Sequence, residues 1–311
     1  MYNRTVFYII IASIFLIILS AAVSAAGVRP LVLNFDLKPG DSTDFELLLT
    51  PSNVRETIEL VPYHPIQNLS GGLSYEVGDP TQHLSLDWIE LEQTQIIVPP
   101  GQEQVVNGQI NVPFDASGTH TAVIMVEQAD EENLSQNLLN YKVRYAVRIN
   151  INIDRPGQRA RAEIDTLEIS KNKEGNPQLL AHIKNTSPLH FNASAEATIR
   201  DENNRLIERL NLVSEAAARA NNLNTRIYPE SEVVFQKDLS QPLFPGNYSL
   251  QIFLRYGDNR QLVKRKSITL EEELTKSGEV RYLSFEPEII AAEIRAGAPV
   301  TQVIDLNNIS N

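Results

Sequence analysis

The chain has 311 residues, no cysteine, and a formal charge of −12 from 27 Lys and Arg against 39 Asp and Glu. The acidity is spread along the sequence, which argues against nucleic acid or an anionic membrane surface as partner. Without cysteine there are no disulfides and no thiol nucleophile, so apolar cores must carry the fold.

Residues 1–26 hold one early positive charge, Arg4, then an uncharged apolar run that closes on the small residues Val23-Ser24-Ala25. This is the pattern of an export signal, with an uncleaved anchor as the alternative. A cysteine-free exported chain of this size points to a bacterial envelope, either periplasm or cell surface.

Residues 27–157 read as a first β-sandwich. Leu31, Leu33, Phe35 and Leu37 alternate along 28–37. Lys38-Pro39-Gly40-Asp41 makes a turn, and Phe45, Leu47 and Leu49 alternate in the next strand. Residues 56–63 give a third strand and 65–79 a loop containing Gly71-Gly72-Leu73-Ser74-Tyr75. Residues 84–91 read as a strand carrying Trp88, the single tryptophan, as a core anchor. Strands at 95–98 and 105–112 follow, then a nearly continuous apolar strand at 118–127, which is expected to be central. An acidic polar loop at 129–137 leads into residues 141–154, YKVRYAVRININID. There Tyr141, Val143, Tyr145, Val147, Ile149, Ile151 and Ile153 occupy every second position. That alternation is longer than an ordinary strand, and Arg155-Pro156-Gly157 stops it. Short strands broken by Pro and Gly turns over about 125 residues are the pattern of an immunoglobulin-like sandwich.

Residues 158–270 repeat the pattern as a second sandwich. Strands are expected at 163–170, 178–184, 193–201, 205–212, 232–239, 247–256 and 261–270. Ser214 is expected to cap a short alanine-rich helix at 214–221. Residues 271–311 read as a charged linker and an incomplete third β-domain. There Ile294-Arg295-Ala296-Gly297, with Ile304 and Leu306, repeats Leu37-Lys38-Pro39-Gly40, with Leu47 and Leu49, at the same offsets from the glycine. The fold class is therefore all-β: tandem immunoglobulin-like β-sandwiches with a C-terminal partial third sandwich.

The sequence carries no catalytic signature. His64, His83, His120, His182 and His190 lack metal-ligand spacing, no serine sits in a G-x-S-x-G setting, and no glycine-rich phosphate loop follows a strand. No catalytic residue, metal or cofactor is expected, and binding or assembly is the default. A glycosidase-type carboxylate pair is the outside alternative.

Two family resemblances bear on the partner. Ile97-Val98-Pro99-Pro100-Gly101-Gln102, Ile110-Asn111-Val112-Pro113, residues 123–127 and the long strand through Arg155-Pro156 resemble the N-terminal domain of periplasmic pilus-assembly chaperones. That resemblance implies that the long strand pairs with a pilin-like subunit lacking its final strand, a form of β-augmentation. The lending residues are drawn from Val143, Tyr145, Val147, Ile149 and Ile151. It also implies two basic residues holding the subunit's terminal carboxylate. Arg29 lies suitably in the first strand, while the last-strand position falls on apolar Ile151 with Arg148 nearby. Separately, residues 35–40, 71–75, 98–112, 181–186, 228–235 and 244–248 resemble the tandem domains of Gram-positive WxL-interacting surface proteins. That second resemblance implies binding to peptidoglycan or to a WxL partner. The first reading is an exported, non-catalytic chaperone-like assembly factor that holds secreted β-rich surface or pilus subunits through residues 141–154. The alternative is a surface adhesin or wall-binding protein that uses loops such as 65–79.

Overall fold

The computed structural model describes residues 26–78, 84–129 and 143–275, with the backbone alone of 283–286 and 305–308. Apart from Ala26, the expected export signal at 1–26 lies outside the described residues.

The protein is all-β. The first sandwich comprises β1 (Gly27–Arg29), β2 (Val32–Leu37), β3 (Ser42–Thr50), β4 (Glu56–Gln67), β5 (Leu73–Val77), α1 (Leu84–Asp87), β6 (Ile89–Leu91), β7 (Gln95–Val98), β8 (Gln104–Asn111), β9 (Gly118–Gln128) and β10 (Arg144–Ile153). One sheet runs β1-β3-β8-β6. The facing sheet runs β2-β10-β9-β4-β5, with β7 also on β4. Alternation decides which side faces in: Phe45, Leu47 and Leu49 of β3 are buried while Asp44 and Glu46 are exposed. Pro30 has no N–H to give a ladder, and there the opening strand leaves the first sheet as β1 and enters the second as β2.

Two expectations need correcting. Residues 84–91 are a helical turn followed by the short β6. Ser85, Leu86 and Trp88 are all buried, a spacing that suits a turn of helix and not a strand. The expected loop at 65–79 is instead the end of β4 and its return as β5, despite Pro62 and Pro65. The turn between them is held by Asn68, whose Oδ1 accepts from the Ser70 and Gly72 amides at 3.1 Å each.

The second sandwich comprises β11 (Ala162–Lys171), β12 (Pro177–Asn185), β13 (Phe191–Asp201), β14 (Leu206–Leu212), α2 (Glu215–Arg219), β15 (Thr225–Ile227), β16 (Glu232–Asp238), β17 (Gly246–Tyr256) and β18 (Arg260–Leu270). Sheet β11-β12-β16 faces β14-β13-β17-β18, with β15 on β13. The helix forms where Ser214 predicts it, the Ser214 Oγ accepting from the Ala217 amide at 3.2 Å. Each sandwich has its own core, one drawn from Val28 to Ile153 and the other from Ile164 to Tyr256.

Two sets of contacts join the sandwiches. At the β4–β5 turn, Gln67 donates to the Arg226 carbonyl at 2.7 Å and accepts from the Tyr228 amide at 2.9 Å. The carbonyls of Leu69 and Ser70 accept from the amides of Val234 and Ala216, at 2.8 and 2.9 Å. Gly71 has φ +84°, and a Cβ there would lie 2.6 Å from Ser214 Oγ, so glycine is what allows this approach. On the other side, the Thr119 amide donates to the Pro188 carbonyl at 2.9 Å, and Thr119 Oγ1 accepts from the His190 amide at 2.6 Å. The turn that carries Pro188 is shaped by the fully buried Asn185. Its amide donates to the carbonyls of Leu189, Ile227 and Tyr228 while its Oδ1 accepts from Ser187.

β19 (Leu283–Glu286) and β20 (Asp305–Asn308) form an antiparallel pair near the C-terminal end of the chain. Ser284↔Asn307, Phe285↔Leu306 and Glu286↔Asp305 lie in the register of Gly27↔Thr50, Val28↔Leu49 and Arg29↔Leu48. The shift is a uniform 257 positions (284 against 27, 307 against 50), the same shift that relates Gly297 to Gly40.

Candidate functional site: the open edge of β10 and the cleft beside it

β10 starts later than residues 141–154 predict. Tyr141 and Lys142 lie outside the described residues, Val143 precedes the strand, and Arg144–Ile153 form it. The two sides of this strand differ. Antiparallel β9 covers its whole length, from Arg144↔Glu127 to Ile153↔Gly118. Parallel β2 covers only the second half, from Arg148↔Val32 to Ile153↔Leu37. A ladder of side chains fastens β2 there: Thr121 Oγ1 donates to Asn150 Oδ1 at 3.1 Å, Asn150 Nδ2 to Asn34 at 2.9 Å, and Asn152 Nδ2 to Asp36 at 3.0 Å.

The Arg148 amide donates to the Leu31 carbonyl at 3.0 Å, so the main-chain groups of residue 148 face β2. Main-chain groups alternate between flanks along a strand, so those of Arg144 and Ala146 face the same side. No strand lies beside them there among the described residues. The first half of β10 is therefore an open sheet edge. The Arg144 guanidinium is drawn the other way, its Nε lying 2.6 Å from Oε2 of the buried Glu127 on β9.

The five residues assigned to partner pairing divide into two groups. Val147, Ile149 and Ile151 are at most 1% exposed and belong to the core of the first sandwich. Their apolar face is already covered, and at Ile149 and Ile151 both edges of the strand are paired as well. Val143 is 45% exposed, and Tyr145 sits half-buried at the rim of that core. The part of β10 with an uncovered edge is thus short, from Arg144 to Val147, and its exposed or half-buried apolar side chains are Tyr145 and the preceding Val143.

The expected basic pair is also separated. Arg29 lies on β1 in the opposite sheet, its Nη2 2.8 Å from Glu103 Oε1 in an exposed ion pair. Arg148 lines a cleft of about 850 Å³ between the sandwiches, together with Leu31, Val32, Ala146, Asn192 and Tyr228. Among the described residues the second cation in that cleft is Arg226 of β15, and no carboxylate lines it. No local pattern marks Arg226 in the sequence. It shares the cleft with Arg148 because the junction contacts, among them those of Gln67 with Arg226 and Tyr228, set the second sandwich against the first.

Two histidines are perturbed by their surroundings. Burial pushes His120 below the usual histidine range, partly countered by its 2.9 Å bond to the Ser117 carbonyl, and its ring lies 4.4 Å from that of Trp88. His190 is also pushed down, first by burial and then by the charge of Arg226. The described residues contain no group of three or more His, Asp or Glu side chains placed to hold a metal ion.

The reading of 65–79 as a free adhesive loop does not match this arrangement, because Leu69, Ser70 and Gln67 are engaged by the second sandwich.

No protein-family model matches the chain, and no curated protein matches it. Among solved structures it is similar to chaperones of pilus biogenesis. One is the chaperone–tip adhesin complex of CFA/I fimbriae biogenesis, at 13% identity over 79% of this chain and 100% of that one, TM-score 0.42. Another is the class 5 fimbriae chaperone CfaA, at 15% identity over 79% and 100%, TM-score 0.40. A third is the CsuC–CsuE chaperone-tip adhesion subunit pre-assembly complex from archaic chaperone-usher Csu pili of Acinetobacter baumannii, at 8% identity over 70% and 91%, TM-score 0.38.

Proposed function

We propose that this protein is an exported, non-catalytic, chaperone-like factor that holds a β-rich surface or pilus subunit by strand pairing at the start of β10. The observation that carries this reading is the half-covered strand: β9 spans all of β10, while β2 stops at Arg148. An incoming strand would continue the line of β2 and bond to the main-chain groups of Arg144 and Ala146. Val143 and Tyr145, on the apolar face but beyond the chain's own core, would pack against the partner. Such an edge is an aggregation hazard unless something claims it, and a captured strand would remove that hazard. The end of the incoming strand would reach the cleft, where Arg148, with Arg226 opposite, would hold a carboxylate.

The test exploits the direction of the main-chain groups. Ala146→Pro deletes an N–H that faces the open flank and leaves the β9 ladder bonds in place, since those come from the neighbouring residues. The variant is expected to keep its melting temperature within a few degrees. It should no longer retain a coexpressed β-rich surface or pilus subunit. Undiminished retention by a folded Ala146→Pro protein would overturn the proposal.

A further inference from the structure

The cleft does not end at Arg226. Asn192 also lines a recess of about 440 Å³ with Arg159, His190, Asp258 and Arg260. Both Asn192 and Asn224 line a third hollow, of about 470 Å³, with Ser194, Arg255 and Arg260. All three share Asn192, and the last two also share Gly257 and Arg260, so the hollows adjoin as a segmented trough along the second sandwich. Its charged lining beyond Arg148 is Arg159, Arg226, Arg255 and Arg260 against the single carboxylate of Asp258. The chain as a whole has more acids than bases, 39 to 27, so this local balance is reversed. None of these four arginines makes an ion pair within the described residues, and they come from four places: the linker, β15, β17, and the first residue of β18. His190, held down first by burial, is pushed further down by the charge of Arg226 on the same wall.

Four arginines without an ion pair around adjoining hollows raise the local positive potential, and their planar forks suit carboxylates. Asn192, Asn224 and Ser194 add neutral donors between them. A long polyanion would meet the repulsion of the −12 chain around the trough, whereas a short run of side-chain carboxylates would feel chiefly the arginines. We infer that the trough of Arg159, Arg226, Arg255 and Arg260 binds an Asp- or Glu-rich stretch of a polypeptide. This goes beyond strand capture at β10 and rests on that reading only for where such a stretch would come from: the captured subunit.

The test uses a dye-labelled hexaglutamate peptide and fluorescence anisotropy on the full chain. Saturable binding that weakens steeply with salt is expected, together with none for hexalysine. The double variant Arg159→Glu, Arg260→Glu should lose at least tenfold in affinity with its melting temperature unchanged. The milder Arg159→Gln, Arg260→Gln should lose severalfold, which guards against a folding effect of charge reversal. The peptide assay contains no subunit and no strand capture, so a failed trough and a failed β10 edge give different results. No saturable binding, or binding indifferent to the arginine changes, would overturn the inference. Tighter binding of dextran sulfate or of phosphatidylglycerol vesicles than of hexaglutamate would overturn its assignment to a polypeptide.

Discussion

The amide of Arg148 donates to the carbonyl of Leu31 at 3.0 Å, and this contact is where the covered half of β10 ends and the open half begins. On its C-terminal side the strand is core. On its N-terminal side one edge is free.

That boundary predicts opposite phenotypes within a few residues. Ile149→Ala removes a fully buried side chain and should destabilise the first sandwich by about 2–5 kcal/mol in chemical denaturation. Val143→Asp, at a position 45% exposed, should change stability by no more than about 0.5 kcal/mol yet abolish retention of a coexpressed subunit. Equal destabilisation by both would mean that the apolar face is a single core.

The two arginines expected to form a carboxylate clamp should also separate. Arg29→Ala breaks an exposed pair with Glu103 and should cost about 0.2–1 kcal/mol, leaving partner retention unchanged. Arg148→Glu should leave folding intact and reduce retention. If Arg29→Ala lowers retention as much as Arg148→Glu does, the clamp spans both sheets after all.

Gln67 holds the second sandwich through two of its hydrogen bonds, to Arg226 and Tyr228. Its replacement by alanine should weaken the junction by roughly 1–3 kcal/mol. Calorimetry should then resolve two melting transitions, or a wider split between them, where the parent shows tighter coupling. A single unchanged transition would show that the Thr119–Pro188 side of the junction suffices.

His120 gives a pH dependence whose sign follows from its environment. Burial holds it below the ordinary value of 6.5, so the folded protein binds fewer protons than the unfolded chain as pH falls past that value. Stability should therefore fall between about pH 7 and pH 5, and His120→Phe, which keeps an aromatic ring beside Trp88, should flatten that slope. Urea midpoints across this range provide the measurement, and a slope unchanged in the variant would assign it to other groups.

Much of the fold is legible in the sequence because period-two alternation and turn residues carry it. The unbroken pattern of β10, the central place of β9 and the Ser214 cap all follow from local chemistry. So does the likeness of Gly297 and its flanks to Gly40, whose neighbouring strands pair in the same register. What alternation does not report is which neighbour covers a strand. Val143 and Ile149 belong to one apolar series, and only the starting point of β2 separates a free residue from a core residue. Proline and glycine suggest a loop at 65–79, whereas Asn68 organises a tight turn within a hairpin that then packs on another sandwich. Residues 84–88 are ambiguous in a different way, since Leu, Leu and Trp at alternate positions fit a strand as well as a helical turn. The arginine trough is not legible at all. Arg255 and Arg260 flank one hairpin, but Arg159 and Arg226 are distant in sequence and reach the same side only through the folding of the second sandwich.

The sheet that carries the open edge is moored to the second sandwich twice, through Gln67 at the end of β4 and through Thr119 at the start of β9. In mechanical terms this sets the load path. A tug along a strand captured at Arg144 and Ala146 passes sideways into β9 through ten residue pairs, and from β9 and β4 into the second sandwich. Those rungs are strained together in shear, whereas peeling would open them singly from an end. The geometry thus anchors the open edge itself against a pull along the strand, since β10 leaves the sheet only if all those rungs yield together.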